Sequence, residues 1–375
     1  MKEYTLRELI EGLNNETWSS VDLVNMYLKQ IETHDHYLNS VAELNPDALS
    51  IAKSLDQERK SKGPRSKLHG IPILIKDNIN TNDKMHTTAN SESLADLITP
   101  YDATVVTKLR DAGVIILGKA NLSEFAYFMS YDKMPSGYGS RNGQVVSPYN
   151  KEIDPLGSST GSAVAVAANL ICVSIGTETN GSLMAPAYKN SIVSIKPTFG
   201  LVSKYGIIPI SETQDTAGPM GRNVADCAIL LDAIVGSDPL DHYTKNADSN
   251  KQKFNESYLK SAKGKKVGIL YFSNFKYDDE ESLILDQAIK TLENEGLVVK
   301  KIEIEAHPMK NDESLLYEFK NSLNSYLATV SGHTKMKSLK DIIEFNLENP
   351  EKRLKYGQSI LVASENTSGD LQDSA

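Results

Sequence analysis

The sequence predicts an α/β fold: a mixed, mostly parallel central sheet covered by helices. Three observations carry the prediction. Short apolar runs rich in β-branched residues, "IPILIK", "VIILG" and "ICVSI", are bounded by glycine and polar residues, as buried strands are. Segments between them place apolar residues at helical spacing. The 375 residues are 40% hydrophobic and 24% charged, enough for one large core or two domains.

Taken in order, "MKEYTLRELIEGL" alternates charge with leucine and predicts an amphipathic helix. "SSVDLVNMYLKQIETHD" predicts a second, with Val21, Val24, Leu28 and Ile31 on one face and a capping box from Ser19 and Asp22. "HGIPILIKDNI" reads as a strand and a loop. "ATVVTKLRDAGVIILGKANLSEFA" reads as helix, glycine turn, strand and the start of another helix. "GSAVAVAANL" is an uncharged helix to be buried, "ICVSIGT" a strand and "NVADCAILLDAIVG" a further apolar helix. Composition turns polar near Ser237. Beyond it "KKVGILYF", "ESLILDQAIKTLENEGL" and "VVKKIEIE" form a βαβ pattern. The organisation read from composition is residues 1–236, then 237–362 containing the βαβ lobe, then a polar, disorder-prone tail at 363–375.

Charge and cysteine content narrow the function. A net charge of −9 argues against direct nucleic-acid binding, which needs clustered Lys and Arg. No apolar run approaches the roughly 20 residues of a membrane span, and the N-terminus lacks an apolar signal core. Cys172 and Cys227 stand among apolar residues without a CxxC pattern, as buried thiols of a cytoplasmic protein do. The histidines show no paired metal spacing, so no metal is expected. No interface signature is readable, and a homo-oligomer is left open.

Small and hydroxyl residues crowd two segments, "GSSTGS" (157–162) and "GTETNGSLMAPA" (176–187). One reading is surface turns. A phosphate loop is disfavoured because Gly176 to Ser182 lacks the lysine that such a loop needs. "GSSTG" matches a nucleophile elbow centred on Ser159, but "NKEIDPL" rather than a buried strand precedes it. The last reading is a serine nucleophile. Serine needs a base, and a lysine serves when burial lowers its pKa. Lys76, closing "IPILIK", is the candidate, although most lysines are solvated. The "TNGS" turn offers consecutive backbone N–H groups for an oxyanion, Gly181 permits close approach, and "LMAPA" starts a helix whose positive end faces the turn.

The blocks "GIPILIKDNI", "GKANLSEFAYF", "DPLGSSTGSAVAVAANL", "GTETNGSLMAPA" and "KPTFGLVSKYGIIPISETQDTAGPM" occur in this order over roughly Tyr4 to Gly236. Together they resemble the amidase signature family. That resemblance implies a hydrolase cleaving carbon–nitrogen amide bonds through a Ser-Ser-Lys triad and an acyl-serine intermediate, with no cofactor and a small-molecule amide as substrate. Ser182 matches the nucleophile. Ser158 matches the middle serine, which follows a cis peptide in the family, and Lys76 matches the base. Backbone N–H groups of Thr179, Asn180, Gly181 and Ser182 match the oxyanion hole. Thr177 matches a supporting hydroxyl. Ser130, in "FMSYDKMPSGYG", matches a substrate contact. Ser159 and Asp215 are expected to be structural, the latter pinning a loop.

Leu156 and Thr160 stand where the family motif has Gly, and Asn180 where it has Gly or Asp. Members of the family generally continue beyond this length, so the resemblance implies a chain lacking its C-terminal part, with lowered stability and activity. Two other functions follow from the same blocks. One is an A-subunit-like component of a glutamine amidotransferase, a class that more often reads "SDTGGSIR" where this chain reads "TETNGSLM". The other, favoured by the missing C-terminal part, is a truncated, inactive homologue acting at most as a binding protein.

Overall fold

The computed structural model describes residues 2–273, 276, 278–305 and 313–373. Met1 of the first predicted helix and Ser374 and Ala375 of the predicted tail lie outside them, as do 274, 275, 277 and 306–312. In chain order the elements are α1 (Leu6–Asn14), α2 (Ser20–Leu38), β1 (Val41–Leu44), α3 (Ala48–Lys62), β2 (Pro72–Lys76), α4 (Thr104–Asp111) and β3 (Ile115–Ala120). A short hairpin of β4 (Tyr138–Gly139) and β5 (Gly143–Gln144) precedes α5 (Thr160–Ala167), β6 (Val173–Glu178), α6 (Met184–Lys189), β7 (Val193–Ser194), β8 (Thr216–Gly221) and α7 (Val224–Ile234). Then come α8 (Ala247–Asn250), α9 (Phe254–Ser257), β9 (Lys266–Phe272), α10 (Asp279–Asn294), β10 (Val298–Ile304), α11 (Glu313–Thr329), α12 (Leu339–Leu347), α13 (Pro350–Arg353) and α14 (Ser359–Glu365).

Local chemistry explains the first helices. Thr5 and Glu8 cap α1 reciprocally, and Ser19 and Asp22 do the same for α2. On α2 the buried stripe runs through Leu23, Val24, Tyr27, Ile31 and Leu38, while Val21 and Leu28 pack at its margins. The apolar face is therefore rotated slightly from the predicted one, because Tyr27 and Leu23 fill its centre.

The main sheet runs β1-β3-β2-β6-β8-β7. Its centre, β3-β2-β6, is parallel, and the flanking pairs β1·β3, β6·β8 and β7·β8 are antiparallel. Every residue of β2, β3, β6 and β8 is buried. Helices covering both faces of the sheet explain why these strands read as unbroken apolar runs. The parallel centre brings the C-terminal ends of β2 and β6 side by side, and these strand ends carry Lys76 and Thr177. This is the end at which open α/β sheets build their sites.

The chain divides into two units: Met1–Asn255 with Glu313–Ala375, and Glu256–Asp312. The composition-based cut at Gly236 falls inside the first. Residues 313 onward return to it because Phe319, Leu323, Tyr326 and Leu327 of α11 are buried in an apolar cluster with Leu94, Phe125, Ile208 and Leu361. The tail begins within α14, and Lys320 Nζ donates to the carbonyls of Glu365 (2.6 Å) and Thr367 (2.9 Å). The second unit consists of β9 and β10, paired in parallel from Lys266↔Val298 to Phe272↔Ile304, and α10, capped by Asp278 and Glu281.

One predicted element is corrected. "NLSEFA" starts no regular helix: Glu124–Tyr127 is a single 3-10 turn in which Phe125, Ala126 and Tyr127 have φ of +48°, +55° and +75°. Tertiary bonds override the helical spacing. The Phe125 N–H donates to Ala89 O (3.0 Å), and the buried Glu124 carboxylate accepts from the Ser140 hydroxyl (2.7 Å) and amide (2.9 Å).

Candidate active site

β2 delivers Lys76 into the interior with 0% exposure. Its Nζ donates to Ser158 Oγ at 2.8 Å, Thr177 Oγ1 at 2.9 Å, Ser159 Oγ at 3.1 Å and Thr177 O at 3.3 Å. Burial pushes the ammonium down to about 7, opposed only in part by the carboxylates of Asp215 and Glu178. A large neutral fraction is therefore present near neutral pH, and a neutral amine can accept a proton.

The Gly157–Ser158 peptide is cis, and Ser158 is fully buried just before α5. Ser159 behaves differently. Its hydroxyl donates to Thr177 O (2.9 Å) and accepts from Thr177 N–H (3.1 Å) and Lys76. A hydroxyl has one proton, and that of Ser159 is spent on a carbonyl. Its role is to lock the 157–160 turn to the end of β6. Leu156, where the resembled motif has glycine, sits at φ +55°, in the region glycine favours. Thr160 is buried at the first position of α5.

The Thr177 hydroxyl accepts from both Lys76 and the Asn78 side-chain amide (3.0 Å), so it braces the ammonium. Past it the chain turns through Thr179, Asn180, Gly181 and Ser182 into α6. The Glu178 carboxylate closes this turn by accepting from the backbone N–H groups of Leu183 (2.7 Å) and Met184 (3.0 Å). Ser182 is 8% exposed, and its carbonyl accepts from Ser159 N–H at 3.2 Å, which ties the two serine segments together. Gly181 has φ +82°, and a side chain there would meet no protein atom within 4 Å. The face above the turn is open to a reactant.

Asp215 closes the other flank. Its carboxylate accepts from the Thr179 hydroxyl and from the backbone amides of Ile210 (2.8 Å) and Ser211 (3.0 Å). Burial raises it to about 6 against those donors. It lines both a small cavity bounded by Asn78, Thr177 and Thr179 and a neighbouring cavity of about 310 Å³ walled by Tyr101, Tyr205, Ile207 and Tyr326.

The structure thus gathers Lys76, Ser158, Ser159 and Thr177 by direct bonds, with Ser182 tied in through its main chain. Ser130 sits apart from those contacts. Its hydroxyl donates to Asp132 (3.0 Å) and lies 3.0 Å from Ser359 Oγ at the start of α14. Sequence reasoning missed Asn78 and Glu178. Glu178 left one signal: an acid just ahead of a helix start, where carboxylates bond free amides. Among the described residues no group of His, Cys, Asp and Glu forms a metal cluster, and no helix is long and apolar enough to cross a membrane.

A desolvated lysine bonded to a serine hydroxyl, beside a glycine turn that carries a second serine, has the parts that acyl transfer by a Ser-Lys mechanism needs. The comparisons with known proteins agree in class. The sequence profile of the amidase family matches residues 22–368, and the chain belongs to that family of carbon–nitrogen amide hydrolases. It is 42% identical to a probable amidase of Arabidopsis thaliana, over 98% of this chain and 73% of the plant protein. It superposes on the native peptide amidase of Stenotrophomonas maltophilia with a TM-score of 0.91 at 41% identity, covering 98% of this chain and 76% of that one. A glutamyl-tRNA(Gln) amidotransferase component of Pseudomonas savastanoi is 38% identical over 81% of this chain and 61% of its own length.

Proposed function

We propose that this chain hydrolyses a small-molecule amide through an acyl-enzyme on Ser182, with Ser158 and Lys76 as its proton relay. Neutral Lys76 takes the Ser158 proton while Ser158 takes that of Ser182. Ser182 Oγ then bonds to the amide carbon. The backbone N–H groups of Thr179, Asn180, Gly181 and Ser182 hold the oxyanion. As the tetrahedral adduct collapses, the carbon–nitrogen bond breaks and the relay returns a proton to the leaving amine. Water enters by the same route, and Ser182 leaves with the proton that the relay had taken. A peptide-like amide is the first substrate to try, given the likeness to a peptide amidase.

The observation that carries this reading is the 2.8 Å bond from Lys76 Nζ to Ser158 Oγ on a lysine whose pKa burial lowers to about 7. The test is a fluorophosphonate probe with the adduct located by peptide mass, run on the wild type, Ser182→Ala and Lys76→Ala, with circular dichroism as the check on folding. An adduct on Ser182 that the Ser182→Ala variant lacks and the Lys76→Ala variant forms slowly supports the reading. An adduct on Ser159 overturns the choice of nucleophile, and a folded wild type that never reacts overturns the activity. Glutaminase activity that appears only with partner proteins and charged tRNA would shift the assignment to an amidotransferase component.

A further inference from the structure

Loop 210–215 is held between two carboxylates. From the inside, Asp215 Oδ2 accepts the backbone amides of Ile210 and Ser211, and Oδ1 accepts the Thr179 hydroxyl. From the outside, Glu318 Oε2 accepts the Ser211 hydroxyl and the Thr213 amide (3.2 Å), while Oε1 accepts the Thr213 hydroxyl (2.8 Å). Ser211, fully buried, is common to both: its amide goes to Asp215 and its hydroxyl to Glu318. Glu318 stands on α11, which is anchored by buried Leu315, Phe319 and Leu323 and by the Tyr326 hydroxyl donating to Asn80 (2.6 Å). Charge-assisted bonds of this kind are shorter and stronger than neutral ones. They form an unbroken line from a rigid helix to Thr179, the first residue of the turn that carries Ser182.

We propose that Glu318 is a positioning residue for the oxyanion turn, acting through Ser211 and Asp215 on Thr179. The proposal rests on the reading of that turn given above. Glu318 touches no substrate; it fixes where the turn amides point. Small misplacements of such donors are costly in rate. Loosening the loop therefore lowers the rate of the chemical step and leaves ground-state binding alone.

The test uses Glu318→Ala, Glu318→Gln and Thr179→Val, alone and combined, in the full chain. Glu318→Ala should lower kcat on a peptide amide, and the rate of fluorophosphonate labelling, by about tenfold or more, with KM within about twofold. Glu318→Gln keeps one acceptor oxygen and should fall between. In the Thr179→Val background the line is already cut, so adding Glu318→Ala should change kcat by less than about twofold. Losses that simply add overturn the proposal, as does an effect confined to KM. Hydrogen exchange supplies an arm independent of catalysis: the amides of 179–182 should exchange faster in Glu318→Ala than in the wild type. Unchanged exchange there overturns the clamp. Faster exchange in a chain that never labels Ser182 supports the clamp and overturns the hydrolytic reading instead.

Discussion

Lys76 on β2 in the first unit and Lys301 on β10 in the second meet opposite surroundings. All five residues of β2 are buried, Lys76 has no solvent-exposed surface, and burial lowers its pKa to about 7. β10 is exposed at six of its seven positions, and β9 alternates between exposed and half-buried residues. Lys301 there is raised above its ordinary value by hydrogen bonding to Tyr271, with its ammonium 4.9 Å from that ring's centroid. The same residue type is pushed toward the neutral amine in one place and held as a cation in the other. What differs is desolvation, which disfavours the charged form. A strand covered on both faces by helices can hold a neutral amine; an open strand cannot.

The sharpest way to break this comparison is to remove both lysines separately. Lys76→Met should abolish amide hydrolysis, on the order of 10⁴-fold or more, while Lys301→Met should stay within about twofold. Steady-state rates on folded variants decide it, and equal losses would defeat the contrast. Next in size is the packing under each strand. Ile75→Ala, at a 0% exposed site, should cost about 2–5 kcal/mol in urea unfolding. Ile302→Ala, at a 39% exposed one, should cost under about 1 kcal/mol.

The smallest effect is the pH profile. The folded-state pKa of Lys76 is lowered, so the amine is neutral above about 7 and charged below it. The kcat/KM value should therefore rise with pH and level off above about 7, falling roughly tenfold per unit on the acid side. A profile still rising at pH 9 would place Lys76 near its solution value and remove the proposed base.

Local signals were legible where the interaction is local. The Ser19–Asp22 cap, the buried runs of β2, β3 and β6 and the apolar helix α7 could each be read from neighbours in the chain. Glu124 to Tyr127 could not, because bonds from Phe125 to Ala89 and from Ser140 to the Glu124 carboxylate join residues apart in sequence. The pairing of Lys76 with Ser158 spans 82 residues; composition and spacing alone left it open, and only the family resemblance pointed to it. Asn78 and Glu318 went unread because each bonds a residue far away in sequence, Thr177 and Ser211, whereas Glu178, bonded to amides five and six residues on, did leave a local signal.

By itself the sequence determined the alternation of helix and strand, the five ordered blocks, and the residue types needed for a Ser-Lys chemistry. These follow from periodicity and from side-chain inventory, which are properties of the chain read along its length. Only the tertiary structure decided which of two adjacent serines has its proton committed, how far Lys76 is desolvated and which carboxylates hold the turn. Those quantities depend on burial and on donors and acceptors converging from β2, β6, the turn before α5, α11 and the 210–215 loop. A pKa of about 7 on Lys76 arises when other elements close around it and exclude water.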